Sequence, residues 1–250
     1  MGSAFQPAES VFMSPLAQPF DAVVFDMDGT LLDTEAVFKS IVYEVCGDLG
    51  FAMTDLVHGQ MVGSSHEATA ALLVETFGPG FSYDTFEDRC RAAMGLRMAE
   101  TVPVKPGAVD LLAALRDLDV PMAVATSSRS THALTHLEAA GVISLFDTIV
   151  TRDDVTNPKP HPESYLTAAA RLGVDPASCV AFEDSVSGVR AAHAAGMRTV
   201  MVPDLIRPSE DVAALCVAVL DTLAHAHEPL VSAPRPANGL QKHLQGKSRG

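Results

Sequence analysis

The chain has 250 residues, of which 48% are hydrophobic, and its 31 acidic and 17 basic side chains give a formal net charge of −14. The length allows a large domain with a substantial core, and the negative charge argues against nucleic acid or an anionic membrane surface as a partner. No apolar stretch approaches the roughly 18 residues of a membrane span, and the first residues lack a secretory signal pattern. We therefore expect a globular protein of the cytoplasm.

The first predicted element is a short apolar strand at Ala22–Phe25, preceded by an N-terminal tail at 1–19 that lacks periodicity. The strand runs into the sequence Asp26-Met27-Asp28-Gly29-Thr30. Gly29 breaks the strand, so both acids are predicted to emerge at its carboxyl end. Because successive strand residues point to opposite faces, Asp26 and Asp28 should lie on the same side.

The next stretch, residues 34–102, has apolar residues at helical spacing and no convincing strand. Two apolar stripes stand out, and their members are Phe38, Ile41, Val42, Val45 and Leu49 in the first and Ala68, Ala71, Leu72 and Val74 to Phe77 in the second. We predict an inserted all-helical cap that lies over the carboxyl ends of the strands. Its two connections, near residues 32–34 and 102–106, are predicted hinges.

From about residue 106 onward, short apolar strands alternate with helical patterns, which predicts a doubly wound parallel sheet of the Rossmann-like α/β class. The predicted strands are 121–126, 146–151, 179–182 and 199–202, and the predicted helices are about 107–118, 129–140, 162–172 and 186–195. The catalytic core is thus assigned to residues 20–33 and 103–225, the cap to 34–102, and a C-terminal tail to 226–250.

Polar side chains end or directly follow the later strands. Thr126-Ser127-Ser128 closes the second strand, Lys159 follows the third, and Glu183-Asp184 closes the fourth. Since ligands of open α/β sheets bind at the carboxyl ends of the strands, these groups and the two acids of the first strand are predicted to face one space.

Crowded carboxylates raise one another's pKa unless a cation compensates their charge. The cluster therefore predicts a divalent metal ion, and carboxylate ligands with room for water favour Mg²⁺. Asp26 and Asp184 are the best side-chain ligands, and the backbone carbonyl of Asp28 is a third.

These motifs, over about residues 21–203, resemble those of the haloacid dehalogenase-like hydrolase superfamily, in particular its phosphatases and phosphomutases with a helical cap after the first motif. The resemblance implies that Asp26 is a nucleophile that forms an aspartyl-phosphate and that Asp28 is the general acid and base. It also implies that Thr126 binds phosphate and that Lys159 balances charge. The Mg²⁺ ligands that it implies are Asp26, Asp28, Glu183 and Asp184.

Further contacts to the phosphate or the substrate are expected from residues beside these motifs and from one cap loop. In the core they are Gly29, Thr30, Ser127, Ser128 and Arg129, and in the cap loop that faces the substrate the candidate is His66.

Asp28 distinguishes the phosphatases of the superfamily from its dehalogenases, because a dehalogenase has no leaving alkoxide to protonate and lacks this residue. A phosphatase of small phosphorylated metabolites, such as sugar phosphate-like monoesters, fits best. The cap would hold the part of the substrate beyond the phosphate. The protein is expected to be a monomer or a small homo-oligomer.

The first alternative is a sugar phosphomutase that resembles beta-phosphoglucomutase and must hold a second phosphate. Val62 and His66 stand where that enzyme has basic residues, and Phe38 replaces a histidine. Ser128 and Arg129 could still contact a distal phosphate, so this alternative stays open.

The second alternative is a non-catalytic module. A signalling receiver shares an acceptor aspartate, an acidic pair and a lysine, but its acidic pair comes first along the chain, whereas here Glu183-Asp184 comes last. A phosphate-binding protein descended from an enzyme is the remaining member of this class.

Overall fold

A six-stranded parallel sheet forms the centre of the protein, whose computed structural model describes residues 15–62, 64–100, 102–204 and 206–234. The strands lie in the order β3-β2-β1-β4-β5-β6. Their bounds are β1 Ala22–Phe25, β2 Met122–Ala125, β3 Thr148–Val150, β4 Cys179–Glu183, β5 Arg198–Met201 and β6 Ala218–Val219. The predicted fold class is confirmed, and the chain order reverses beside β1, with β2 on one side and β4 on the other.

Helices cover both faces of this sheet. Those of the α/β core are α5 Ala108–Asp117, α6 Ser130–Ala139, α7 Glu163–Leu172, α8 Val186–Ala194, α9 Glu210–Ala213 and α10 Ala224–Val231. Alternate residues of one strand enter different cores: Val23 and Phe25 lie in the larger cluster, Ala22 and Val24 in the one below α7 and α8. Burial on both faces explains why the strands are continuous apolar runs.

The cap is all-helical, as predicted, and follows β1 directly. Its helices are α1 Thr34–Asp48, α2 Asp55–Met61, α3 His66–Phe77 and α4 Tyr83–Glu100. The first predicted stripe is confirmed at its centre, where Ile41, Val42 and Val45 are buried in α1. The second differs: only Leu73 of α3 is fully buried and Val74 is exposed, because α3 packs on α2 and α4 from one side.

The two connections between cap and core run side by side. The Asp33 amide donates to the Pro103 carbonyl and the Lys105 amide to the Leu31 carbonyl, both at 2.8 Å. Lys105 Nζ also lies 2.6 Å from Asp204 Oδ1, in the loop after β5, and 3.5 Å from Asp33 Oδ1. The predicted hinge segments are thus bonded to each other and tied to the core.

The chain ends differ from the predicted tails where the structure describes them. Leu16, in the predicted N-terminal tail, is buried in the main core, and α10 buries Ala226 and Leu230. Most of α10 falls in the predicted C-terminal tail at 226–250, a prediction that rests on the mostly polar, Pro- and Gly-punctuated sequence from about His227 onward. Two buried residues four positions apart nevertheless suffice to dock it beside α5. Residues 1–14 and 235–250 lie outside the described part.

Within the described residues, no helix combines the length and the apolar character that crossing a membrane would require.

Gly107 tests the docking of α10. It precedes α5 with a φ of +82°, and an added Cβ would overlap the backbone of Ala224 at the start of α10. We expect Gly107→Ala to lower the free energy of unfolding by about 2–4 kcal/mol, from backbone strain plus overlap. Urea denaturation measures the change.

Gly141→Ala is the matched control, since Gly141 has a φ of +71° but open space around it. For this variant we expect a loss of about 1 kcal/mol in the free energy of unfolding. Equal losses in the two variants would contradict the packing of α10 on α5.

Candidate active site

The two acids of the first motif lie at the carboxyl edge of the sheet, beside the point where the strand order reverses. The Asp26 amide donates to the Phe182 carbonyl of β4 at 2.9 Å, so Asp26 continues the pairing of β1 with β4. Met27 is fully buried in the main core. The Leu31 and Leu32 amides both donate to the Met27 carbonyl, which closes a tight turn after Asp28. Open α/β sheets bind ligands at this place.

Lys159 is the cation of the site and is almost completely buried. Its ammonium lies 2.6 Å from Asp26 Oδ1 and 2.6 Å from Glu183 Oε1. Its third short contact is the Ala125 carbonyl, at 2.9 Å. A fourth, longer contact joins the ammonium to the Tyr165 hydroxyl oxygen, at 3.4 Å. Although burial opposes the charge, the carboxylates of Asp26 and Glu183 raise the pKa of Lys159 above its usual value, so it stays protonated.

The acidic cluster consists of Asp26, Glu183 and Asp184. One carboxylate oxygen from each lies within 4.8 Å of the others. Burial raises the pKa of Asp26 well above its usual range, and Glu183 and Asp184 add to that effect while Lys159 opposes it. Burial, followed by the charge of Glu183, raises the pKa of Asp184 to about 7. One lysine therefore does not compensate three acids, and such a donor set fits a divalent cation.

The two oxygens of Glu183 are both engaged by hydrogen-bond donors. Oε1 accepts from Lys159 Nζ and, at 2.7 Å, from the hydroxyl of Tyr165. Oε2 accepts from the amides of Asp184 and Ser185 and from the Ser185 hydroxyl, at 3.1 to 3.2 Å. Glu183 thus acts in this arrangement as the counter-ion of Lys159, and the assignment of Glu183 as a metal ligand stays a prediction.

Gly29 and Thr30 support Asp184. The φ of Gly29 is +82°, and an added Cβ would overlap Asp184 Oδ2, so only glycine permits this approach. The Thr30 hydroxyl is buried and donates to Asp184 Oδ1 at 3.3 Å. A role of these two residues in binding phosphate remains a prediction.

The loop after β2 reaches Asp28. Ser128 Oγ donates to Asp28 Oδ2 at 2.7 Å, and the Ser128 amide donates to Thr126 Oγ1 at 3.0 Å. Thr126 is buried, whereas Ser127 and Arg129 are exposed. The structure therefore brings Thr126 and Ser128 to the site, and Arg129 stands at the residue before α6.

A cavity of about 1060 Å³ lies between the cap and the carboxyl edge of the core. Cap residues such as Phe38, Met61 and His66 line it, together with Asp184 and Asp204 from the core. His66 begins α3, and its Nδ1 lies 3.4 Å from Glu87 Oε1. The cap loop thus borders this cavity, and a contact of His66 with a substrate stays a prediction.

The sequence and the fold both match known proteins. The model of the haloacid dehalogenase-like hydrolase family matches residues 23–202. The chain belongs to this family. "Putative phosphatase YhcW" of Bacillus subtilis is 37% identical over 74% of this chain and 84% of that protein. "Phosphorylated carbohydrates phosphatase" of Thermotoga maritima is 33% identical over 72% of this chain and 83% of that protein. A crystal structure of a "putative beta-phosphoglucomutase from Thermotoga maritima" has a TM-score of 0.72 and 30% identity, over 84% of this chain and 98% of that one.

The span that matches the haloacid dehalogenase-like hydrolase family runs from β1 to the residue after β5 and includes the cap. It contains every contact of the acidic cluster described above. Strand β6 and helix α10 lie outside it, so the docking of α10 extends the fold beyond the matched region.

The sequence does not predict two residues of the site. Tyr165 and Gly188 each fall within a predicted helix, without a predicted role. Tyr165 contacts Glu183, and a Cβ on Gly188 would overlap the Glu183 carboxylate. One signal was available: Tyr165 is the only tyrosine outside the cap segment. A polar group on a buried helix face commonly has a specific partner.

Gly188 tests how tightly Glu183 is enclosed. Alanine normally favours a helix over glycine, so Gly188→Ala in α8 should be destabilising only because its Cβ meets Glu183. We expect a loss of about 1–3 kcal/mol in the free energy of unfolding, measured by urea denaturation. Gly47→Ala, in α1 with open space around it, is the matched control and should gain up to about 1 kcal/mol. A stabilised Gly188→Ala protein would contradict the enclosure.

Proposed function

We propose that this protein is a Mg²⁺-dependent phosphatase that hydrolyses small phosphorylated metabolites through an aspartyl-phosphate on Asp26. One observation carries the proposal: the Asp26 carboxylate is held 2.6 Å from the buried Lys159 ammonium, in an acidic cluster at the carboxyl edge of the sheet. This arrangement supports Asp26 as the nucleophile and Lys159 as the cation beside it.

Asp26 and Asp28 have different surroundings, which supports different roles. Lys159 fixes the orientation of the Asp26 carboxylate, which we assign to the attack on phosphorus. Asp28 is only partly buried and accepts the hydrogen bond of Ser128, which orients it. We assign Asp28 to protonate the departing alkoxide and later to deprotonate the attacking water, a role worth about 10²–10⁴-fold in rate.

The residues present fit a magnesium ion. The side chains of Asp26 and Asp184 and the carbonyl of Asp28 would hold it, since the two carboxylates each offer an oxygen within 4.8 Å of the other and oxygen atoms are the ligands that Mg²⁺ prefers. When bound, the ion would neutralise negative charge on the phosphoryl oxygens. Lys159 supplies a fixed positive charge at the same place.

The relatives and the cavity support a small metabolite as substrate. One relative is named for phosphorylated carbohydrates. The cavity of about 1060 Å³ has room for the part of such a molecule beyond its phosphate. We therefore infer a phosphorylated small molecule, with sugar phosphate-like monoesters as the first class to test.

A sugar phosphomutase is the second candidate, favoured by the similarity to the "putative beta-phosphoglucomutase" fold. The charges around the cavity speak against it. Among the described residues that line the cavity, Arg91 is the only lysine or arginine, and it already pairs with Glu87 and Asp88 at 3.1 Å. A second phosphate would meet acids such as Glu35 and Asp204 instead, so the phosphatase is the better assignment.

The decisive experiment is a phosphate-release screen over small phosphoesters with the full chain. We expect release that stops after chelation and returns with added Mg²⁺. Glucose 1-phosphate with a bisphosphate activator is assayed in parallel for isomerisation. Faster isomerisation than hydrolysis would establish the mutase instead. Absence of either activity, with Mg²⁺ still raising the melting temperature, would indicate a binding protein.

Asp26→Asn tests the covalent step, because it removes the nucleophile while keeping the volume of the side chain. We expect kcat to fall by at least about 10³-fold, with circular dichroism unchanged. The matched control is Asp21→Asn, just before the other end of β1, which should keep kcat within about twofold since surface substitutions away from a site usually have small effects. A near-normal rate in Asp26→Asn would refute the aspartyl-phosphate route.

A further inference from the structure

Tyr165 is a fully buried residue next to the proposed catalytic groups. It lies in the first turns of α7 and packs into the core below that helix with Ala168 and Ala169. A buried phenol needs a hydrogen-bond acceptor, and that acceptor could have been any backbone carbonyl nearby. Its acceptor is instead Glu183 Oε1, at 2.7 Å.

The hydrogen bond between Tyr165 and Glu183 has a defined direction. The Lys159 ammonium donates to Asp26, Glu183 and the Ala125 carbonyl at 2.6 to 2.9 Å, and it also approaches the Tyr165 hydroxyl oxygen at 3.4 Å, so that oxygen faces a donor. A carboxylate offers only acceptors, so the Tyr165 hydroxyl is the donor to Glu183. Burial, with the charge of Glu183, raises the pKa of Tyr165 well above its usual value, which keeps the phenol protonated.

A chain of short contacts therefore leads from α7 to the nucleophile. Tyr165 binds Glu183 Oε1, the same oxygen lies 2.6 Å from Lys159 Nζ, and that nitrogen lies 2.6 Å from Asp26 Oδ1. Tyr165 also contacts Lys159 directly. Its hydroxyl oxygen lies 3.4 Å from Lys159 Nζ, and its ring centroid lies 5.0 Å from the same nitrogen, within the range of a cation–π interaction.

Glu183 is enclosed from two sides. Tyr165 contacts it from α7, and Gly188 leaves no space for a Cβ on the side of α8. Without the hydroxyl, Oε1 would lose one of its two donors and face a small gap. With Oε2 still held by Asp184 and Ser185, Oε1 would shift toward the gap, and Lys159 would follow it away from Asp26.

We propose that Tyr165 is a positioning residue for the reaction, which acts through Glu183 to hold the Lys159 ammonium against the Asp26 carboxylate. The inference rests on the proposed phosphatase function and deepens it. It adds a residue that touches neither the substrate nor the reacting atoms.

Tyr165→Phe tests the proposal in the full-length enzyme with Mg²⁺ and the best substrate of the screen. Since the hydroxyl binds a charged group, we expect kcat to fall about ten- to a hundredfold while KM changes less than about twofold. The matched control is Tyr43→Phe, which removes a hydroxyl that donates to Asp55 at 2.8 Å on the exposed face of the cap. It should leave both constants unchanged.

A double-mutant cycle separates positioning from packing. In a Glu183→Gln background, Tyr165→Phe should lower kcat by less than about twofold, because the short hydrogen bond of the hydroxyl is the one to Glu183 and phenylalanine keeps the ring contact with Lys159. Full additivity of the two changes would overturn the proposal, and so would an unchanged kcat in Tyr165→Phe. Loss of the folded state in Tyr165→Phe would overturn it as well, since the residue would then be structural.

The wild-type protein and the Tyr165→Phe variant test different claims. A wild-type protein that releases phosphate from no phosphoester would overturn the function. A wild-type phosphatase whose kcat does not depend on Tyr165 would overturn only the positioning role.

Discussion

The buried ammonium of Lys159 is the interaction on which the site depends. A charge that is removed from water requires close partners of opposite sign, and losing one partner is strongly destabilising. Its two carboxylate partners come from neighbouring strands, Asp26 after β1 and Glu183 at the end of β4. The register that pairs Phe25 with Phe182 places them side by side. The strand pairing and the charge cluster therefore support each other.

The same cluster explains why a strongly acidic protein can act on an anionic substrate. Three carboxylates face one lysine. Burial, with the charges of the neighbouring acids, raises the pKa values of Asp26 and Asp184. A divalent cation would offset the excess negative charge of this cluster, while the rest of the surface stays negative. The family match makes this interpretation consistent with the chemistry of haloacid dehalogenase-like hydrolases.

The cap takes its position from the place of its insertion. Because it follows β1 directly, its helices begin at the edge where Asp26 and Asp28 emerge. The two connections bond to each other, and Lys105 links them to Asp204 after β5. The cavity between cap and core is lined by cap residues together with Asp184 of the acidic cluster and Asp204, the partner of Lys105.

Much of this arrangement was predictable because its signals are local. The apolar run before Asp26 and the glycine after Asp28 predicted a strand and its end, and the later strands carried similar signals. The ends of the chain were harder to predict. Helix α10 has only two fully buried residues, Ala226 and Leu230, so its docking depends on the shape of α5 rather than on a pattern of its own.

The sequence by itself determined the α/β class, the helical insertion and the set of acids, threonine and lysine at the strand ends. Periodicity and chain order encode these features, and they do not depend on distant contacts. Only the tertiary structure decided which acid partners Lys159, that Ser128 binds Asp28, and that Tyr165 and Gly188 enclose Glu183. Such contacts join residues far apart in the chain, and side-chain geometry within the folded core selects them.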